Sequence, residues 1–160
     1  MKLVADTSPL IFLAKLKKLA FLDSFEVMVP ATVFSEIEAG RRAGKEDVAC
    51  IERWLARKKT PILDAPFIPE LSDILGKGEI SVISLALKEH ITTVLIDEKK
   101  ARAYARLYSL QPRGTLSVVV QLHKAGAIST RHCKDLIFAL LKQGYRIKEE
   151  QLLELLNSLT

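Results

Sequence analysis

The stretch Lys2-Leu3-Val4-Ala5-Asp6-Thr7-Ser8-Pro9-Leu10 lies at the start of the sequence, and Thr92-Thr93-Val94-Leu95-Ile96-Asp97 lies in its second half. Each is a short apolar run closed by an aspartate. A run of this length, rich in Val, Leu and Ile, reads as a strand buried on both faces, as in a parallel sheet. After the first run, Ser8-Pro9 offers a cap followed by proline at the first helical position, so strand passes to helix within a few residues.

The same alternation continues outward. Leu10 to Leu22 carries apolar residues at helical spacing, and Glu26 to Val29, stopped by Pro30, reads as a second strand. A helix starting at Pro30 runs through Val33, Phe34 and Ile37 to Gly40. Ala43 to Lys59 is a third helix, with Arg57, Lys58 and Lys59 in its last turn, where cations suit the helix dipole. Thr60 to Leu63 reads as an edge strand and Asp64 to Pro69 as a connector. Gly76-Lys77-Gly78-Glu79 then opens the apolar helix Ile80 to Leu87, ahead of the strand ending at Asp97. Beyond it lie a helix bearing Lys99, Arg102 and Arg106, a turn at Arg113-Gly114-Thr115, and a helix through Val118 to Leu122. Two leucine-striped helices follow Ser129, with Gly144 between them. Strands alternating with helices predict an α/β fold: a central, mostly parallel sheet with helices on both faces.

The 160 residues suit a single domain spanning 1–160, with residues 129–160 as a helical extension packed on it. Lysine and arginine number 24 against 19 acids, a net charge of +5 that is compatible with a polyanionic partner without requiring one. Cys50 and Cys133 sit in no CxxC or finger-like pattern and read as free buried thiols; His90, His123 and His132 read as structural or surface residues. Lysines interrupt the apolar N-terminal stretch, so it is no signal peptide, and no run approaches the roughly 18 apolar residues of a membrane span. A cytoplasmic protein is expected.

In an open parallel sheet, ligands sit beyond the carboxyl ends of the strands. Asp6 and Asp97 both hold that position, and adjacent central strands would bring them together. Glu36 lies about two turns into its helix, and Glu79 opens another; each alone is also explained as a helix-surface or helix-terminal charge. Unit charges about 4 Å apart repel by about 4 kcal/mol at an effective dielectric near 20, so four gathered acids need a cation. Mg²⁺ or Mn²⁺ suits carboxylate and water oxygens with no soft ligand nearby. Such ions serve phosphodiester hydrolysis without a catalytic histidine. Thr7 and Ser8 would orient the Asp6 carboxylate or a water, with Ser8 equally explained as a helix cap. Thr115 would add a hydroxyl at the same edge.

At these residues the chain resembles the PIN-domain family, and within it the prokaryotic branch similar to VapC toxins. The resemblance runs from Asp6-Thr7-Ser8-Pro9-Leu10 through VPATVFSEI, where Glu36 matches the second acid, and LGKGEISVISLA, where Glu79 stands for the third. It continues through VLIDEKKARAYA, where Asp97 matches the fourth, to Arg113-Gly114-Thr115 and KAGAI. It implies a three-layer Rossmann-like domain. Asp6, Glu36, Glu79 and Asp97 would be catalytic residues and ligands of Mg²⁺ or Mn²⁺, acting on RNA, often in a homodimer with an antitoxin protein as partner. Glu79 is one methylene longer than the aspartate of many relatives, and Ala101 stands where related chains often have glycine.

RNA would meet the basic face Lys99, Arg102 and Arg106, helped by Arg113, Arg41 and Arg42, each of which also reads as a solvated charge. A dehalogenase-type phosphatase needs a second acid where Ser8 stands, a receiver domain needs an acidic pair after the first strand, and LGKGE is no P-loop. The alternative is a PIN-like module that binds RNA or protein without cleaving, because a fold alone never fixes activity.

Overall fold

The computed structural model describes residues 1–159, which divide into two compact units, Met1–Thr115 and the part from Leu116 onward. The boundary falls ahead of Ser129, so the helix that follows Thr115 groups with the two tail helices.

The first unit contains five strands: β1 (Lys2–Ala5), β2 (Glu26–Pro30), β3 (Ile62–Leu63), β4 (Thr93–Leu95) and β5 (Gln111–Arg113). They form one sheet in the order β3-β2-β1-β4-β5, parallel throughout. Five helices flank it: α1 (Thr7–Lys15), α2 (Ala31–Arg42), α3 (Glu46–Lys58), α4 (Lys77–Lys88) and α5 (Lys99–Leu107). Leu3, Val4, Ala5, Val27, Val29, Val94 and Leu95 are all buried, as strands covered on both faces require. α4 packs on β1, β2 and β4 and is buried nearly all round from Ile80 to Ala86; α2 packs on both α3 and α4.

The strand order reverses beside β1. From β1 the chain steps outward through β2 to β3, then crosses back to β4 on the other side of β1 and continues to β5. The crevice at such a reversal is where α/β sheets bind ligands. Ala5 pairs with Leu95, and the Asp6 N–H donates to the Leu95 carbonyl at 3.0 Å, so Asp6 and Asp97 leave neighbouring strands at this point.

Several local expectations change. The cap of α1 is Asp6, whose carboxylate accepts from the Thr7 N–H; Ser8 and Pro9 lie inside the first turn. α1 stops at Lys15 and a 3-10 turn follows at Leu19–Leu22, because Lys17 takes a left-handed conformation (φ 58°). Lys17 and Lys18 there donate to Ala14 and Leu13, the paired bonds of a Schellman ending. Gly40 does not end α2. It lies within the helix, where a Cβ would sit 2.8 Å from Val48 Cγ2 of α3, and the left-handed turn comes at Gly44 (φ 79°). The segment at Arg113 is a fifth strand rather than only a turn, and Pro112 is tolerated because β5 is an edge.

The second unit holds α6 (Thr115–Lys124, of which Thr115 belongs to the first unit), α7 (Thr130–Lys142) and α8 (Glu149–Ser158). Ser129 caps α7 by accepting from the His132 N–H at 3.0 Å. His123 Nε2 lies 2.9 Å from Thr130 Oγ1, so that histidine is a structural link. Cys133 is buried and Cys50 half-buried, and both are free thiols. Among the described residues no helix is long and apolar enough to cross a membrane.

Candidate active site

Asp6 is the most enclosed of the acids, 7% exposed. Its position follows from β1, which carries the chain through the core and releases it at the sheet edge. Burial pushes its carboxyl up to about 7, and the charges of Glu79, Glu36 and Asp97 push the same way, against the Thr7 N–H at 2.8 Å, which lowers it. Asp6 therefore lies within electrostatic reach of the other three acids selected from the sequence.

Asp97 follows β4 on the neighbouring strand. Its Oδ1 accepts from the Thr115 N–H and its Oδ2 from the Thr115 hydroxyl, both at 2.7 Å. Thr115 is fully buried, so its packed hydroxyl and its backbone N–H together fix both oxygens of this carboxylate. The Asp97 carbonyl in turn accepts from Arg102 Nη1 at 2.8 Å.

The two glutamates arrive on helices. Glu36 projects from α2, is exposed, and accepts from the Thr7 hydroxyl at 2.6 Å through Oε2. Its Oε1 lies only 2.5 Å from where a Cβ on Gly78 would be. Glu79 stands in the first turn of α4. Burial raises its carboxyl above the usual range, Glu98 and Glu36 add to that, and the Gly76 N–H and Lys100 oppose it. Its Oε2 is buried with no hydrogen-bond partner among the described residues.

These groups fit a hard divalent cation in kind: oxygen donors only, one acid driven towards its protonated form, and one buried oxygen unsatisfied. As the side chains stand, no three acidic, histidine or cysteine groups among the described residues converge closely enough to hold an ion.

The supporting residues sort differently from expectation. Thr7 serves both Asp6, through its backbone, and Glu36, through its hydroxyl. Thr115 serves Asp97. Ser8 occupies the first turn of α1, one residue beyond the Thr7 that serves Asp6 and Glu36. On α5, Lys99 and Arg106 are exposed, whereas Arg102 is half-buried and committed to the Asp97 carbonyl. Arg41 is ion-paired with Glu52 at 2.9 Å and Arg42 is exposed. Arg113 is half-buried at the end of β5.

Three neighbours escaped the sequence reading. Glu98 caps α5 by accepting from the Ala101 N–H at 2.7 Å and acts electrostatically on Glu79, as does Lys100. Gly78 sits under the Glu36 carboxylate. The acid following Asp97 was a visible signal for Glu98; nothing in the sequence marked Gly78 as facing a residue 42 positions earlier.

Fold and site together define an α/β domain with an acidic edge at the switch point of a parallel sheet. Residues 2–160 match the PIN-domain family, and the chain belongs to it. PIN domains are typically nucleases, and the family generally uses divalent metal ions. No curated protein and no solved structure gave a match.

Proposed function

We propose that this chain is a divalent-metal-dependent endoribonuclease that hydrolyses RNA phosphodiester bonds at the edge where β1 and β4 end. The observation that carries the reading is Asp6: a buried carboxylate at the switch point whose carboxyl is raised to about 7, with three further acids contributing. A group so placed is stabilised either by a proton or by a cation, and perturbed acids in a crevice are the mark of a working site.

Asp6, Glu36, Glu79 and Asp97 would hold Mg²⁺ or Mn²⁺. When bound, such an ion activates water and stabilises the leaving oxygen of a phosphodiester. The protein's own residues supply position. Thr115 locks Asp97 through two bonds, Thr7 holds Asp6 and Glu36, and Glu79 keeps one buried oxygen uncommitted to any protein donor. Lys99 and Arg106, exposed on the helix that follows Asp97, are placed to attract the phosphate backbone. Arg102 supports the Asp97 turn. A toxin role with an antitoxin partner, a homodimeric state and a cytoplasmic location belong to this reading through the likeness to VapC-type proteins.

A second reading is binding of RNA without cleavage, because a fold alone does not fix activity. Incubation of a mixed RNA pool with Mg²⁺ or Mn²⁺ separates the two. The native chain should cleave, and Asp6→Asn and Asp97→Asn should each lose cleavage. Equal cleavage by all three proteins would refute the catalytic assignment, and binding without cleavage by the native chain would select the second reading.

A further inference from the structure

We infer that Gly78 and the Thr7 hydroxyl form a seat that fixes the carboxylate of Glu36, and that Gly78 is a positioning residue of the site. The inference rests on the metal-dependent reading for its consequence in function, and on geometry alone for the seat itself.

Glu36 is the one acid of the four that nothing else restrains. It is on an exposed stretch of α2, and its side chain has three rotatable bonds whose freedom must be lost before the carboxylate can act. Two contacts remove that freedom. From one side the Thr7 hydroxyl donates to Oε2 at 2.6 Å. From the other, α4 presents Gly78 in its first turn, and a Cβ there would lie 2.5 Å from Oε1, 3.1 Å from Cδ and 3.2 Å from Oε2. All three atoms nearest that Cβ belong to one carboxylate. It presses on the glycine through Oε1.

The reason for glycine is therefore not backbone conformation. Gly78 is in ordinary helical geometry, where alanine is the better helix former. A methyl group would meet only the far end of a flexible side chain, which can swing away. The collision thus falls on the placement of Glu36 and not on the fold. That separates this glycine from Gly40, whose Cβ would meet the Val48 side chain in the contact between α2 and α3.

The consequence is a split between stability and site function. Gly78→Ala should fold, with a melting temperature in EDTA equal to or above that of the native chain. Its affinity for Mn²⁺ alone, measured by calorimetry, should fall roughly ten- to hundredfold, the usual effect of losing the partner that orients a ligand. Thr7→Val should weaken Mn²⁺ binding similarly, and Thr7→Ser, which keeps the hydroxyl, should restore it. In a Glu36→Ala background Gly78→Ala should cause no further loss of Mn²⁺ affinity. There it should raise the melting temperature by about 2 °C, the helix-propensity gain freed of the collision, and by less in the native background.

Native Mn²⁺ affinity in Gly78→Ala, or the same loss with and without Glu36, would overturn the positioning role. If the native chain binds no Mn²⁺ and cuts no RNA, the nuclease reading fails. The seat is then judged by the melting temperatures in EDTA, where identical effects of Gly78→Ala in both backgrounds would overturn it.

Discussion

Replacing Asp6 with asparagine should stabilise the metal-free protein at alkaline pH while abolishing the proposed RNA cleavage. Asparagine keeps the shape of the side chain, keeps an oxygen to accept from the Thr7 N–H at 2.8 Å, and is as good a helix cap as aspartate. It removes only the charge. The Asp6 carboxyl is raised from 3.8 to about 7, chiefly by burial, a difference of about 3 pKa units and so about 4 kcal/mol. Because the folded value lies above the unfolded one, the contribution is fully favourable below about pH 4 and is lost as pH rises through 7. Above pH 7 the native chain carries a buried carboxylate beside three other acids; the Asp6→Asn chain does not. Urea unfolding in EDTA should therefore give nearly equal stabilities near pH 4 and a gap in favour of Asp6→Asn that grows to about 4 kcal/mol by pH 8. Excess Mn²⁺ should narrow or reverse the gap, since an ion that binds only the folded native site stabilises it. A gap independent of pH, or a destabilised Asp6→Asn chain at pH 8, would refute the claim that burial, helped by the neighbouring acids, raises the Asp6 carboxyl.

Thr115→Val removes the hydroxyl that Asp97 Oδ2 accepts from and should cost about 1.5–3 kcal/mol in unfolding free energy, with reduced RNA cleavage under Mg²⁺. Unchanged stability would count against that bond. Gly40→Ala forces a methyl to within 2.8 Å of Val48 Cγ2 and should lower stability by about 1–3 kcal/mol in thermal unfolding while Mn²⁺ affinity stays native. Lys99→Ala with Arg106→Ala should flatten the salt dependence of single-stranded RNA binding by about 1.4 in log–log slope, about 0.7 for each phosphate no longer neutralised; an unaltered slope would place the RNA elsewhere.

The sheet was legible because its strands are apolar runs with abrupt polar ends, and Asp6 and Asp97 were legible for the same reason. The helix ends were not. Lys17, Lys59, His90 and Ser109 all adopt left-handed conformations at helix termini without the glycine that usually announces them. The glycine that looked like a stop, Gly40, marks a close approach of two helices instead. β5 was hidden by its three-residue length and by Pro112, which only an edge accommodates. Glu36 and Glu79 owed their selection largely to family likeness, since helix residues reveal their target only when the packing of the helices is known.

That difference corresponds to two ways of building one site. Asp6 and Asp97 are placed by the backbone hydrogen bonds of neighbouring strands, a register in which a one-residue slip would exchange the side chains packed on the two covered faces of β1 and β4. Glu36 and Glu79 are placed by α2 packing on α4, an arrangement set by side-chain shape and far easier to adjust. Each half carries its own threonine, Thr115 on Asp97 and Thr7 reaching to Glu36. Substitutions that loosen the packing of α2 on α4 should move the glutamates and leave the aspartate pair in place. Such changes should lower ion affinity without removing the alkaline instability that belongs to Asp6.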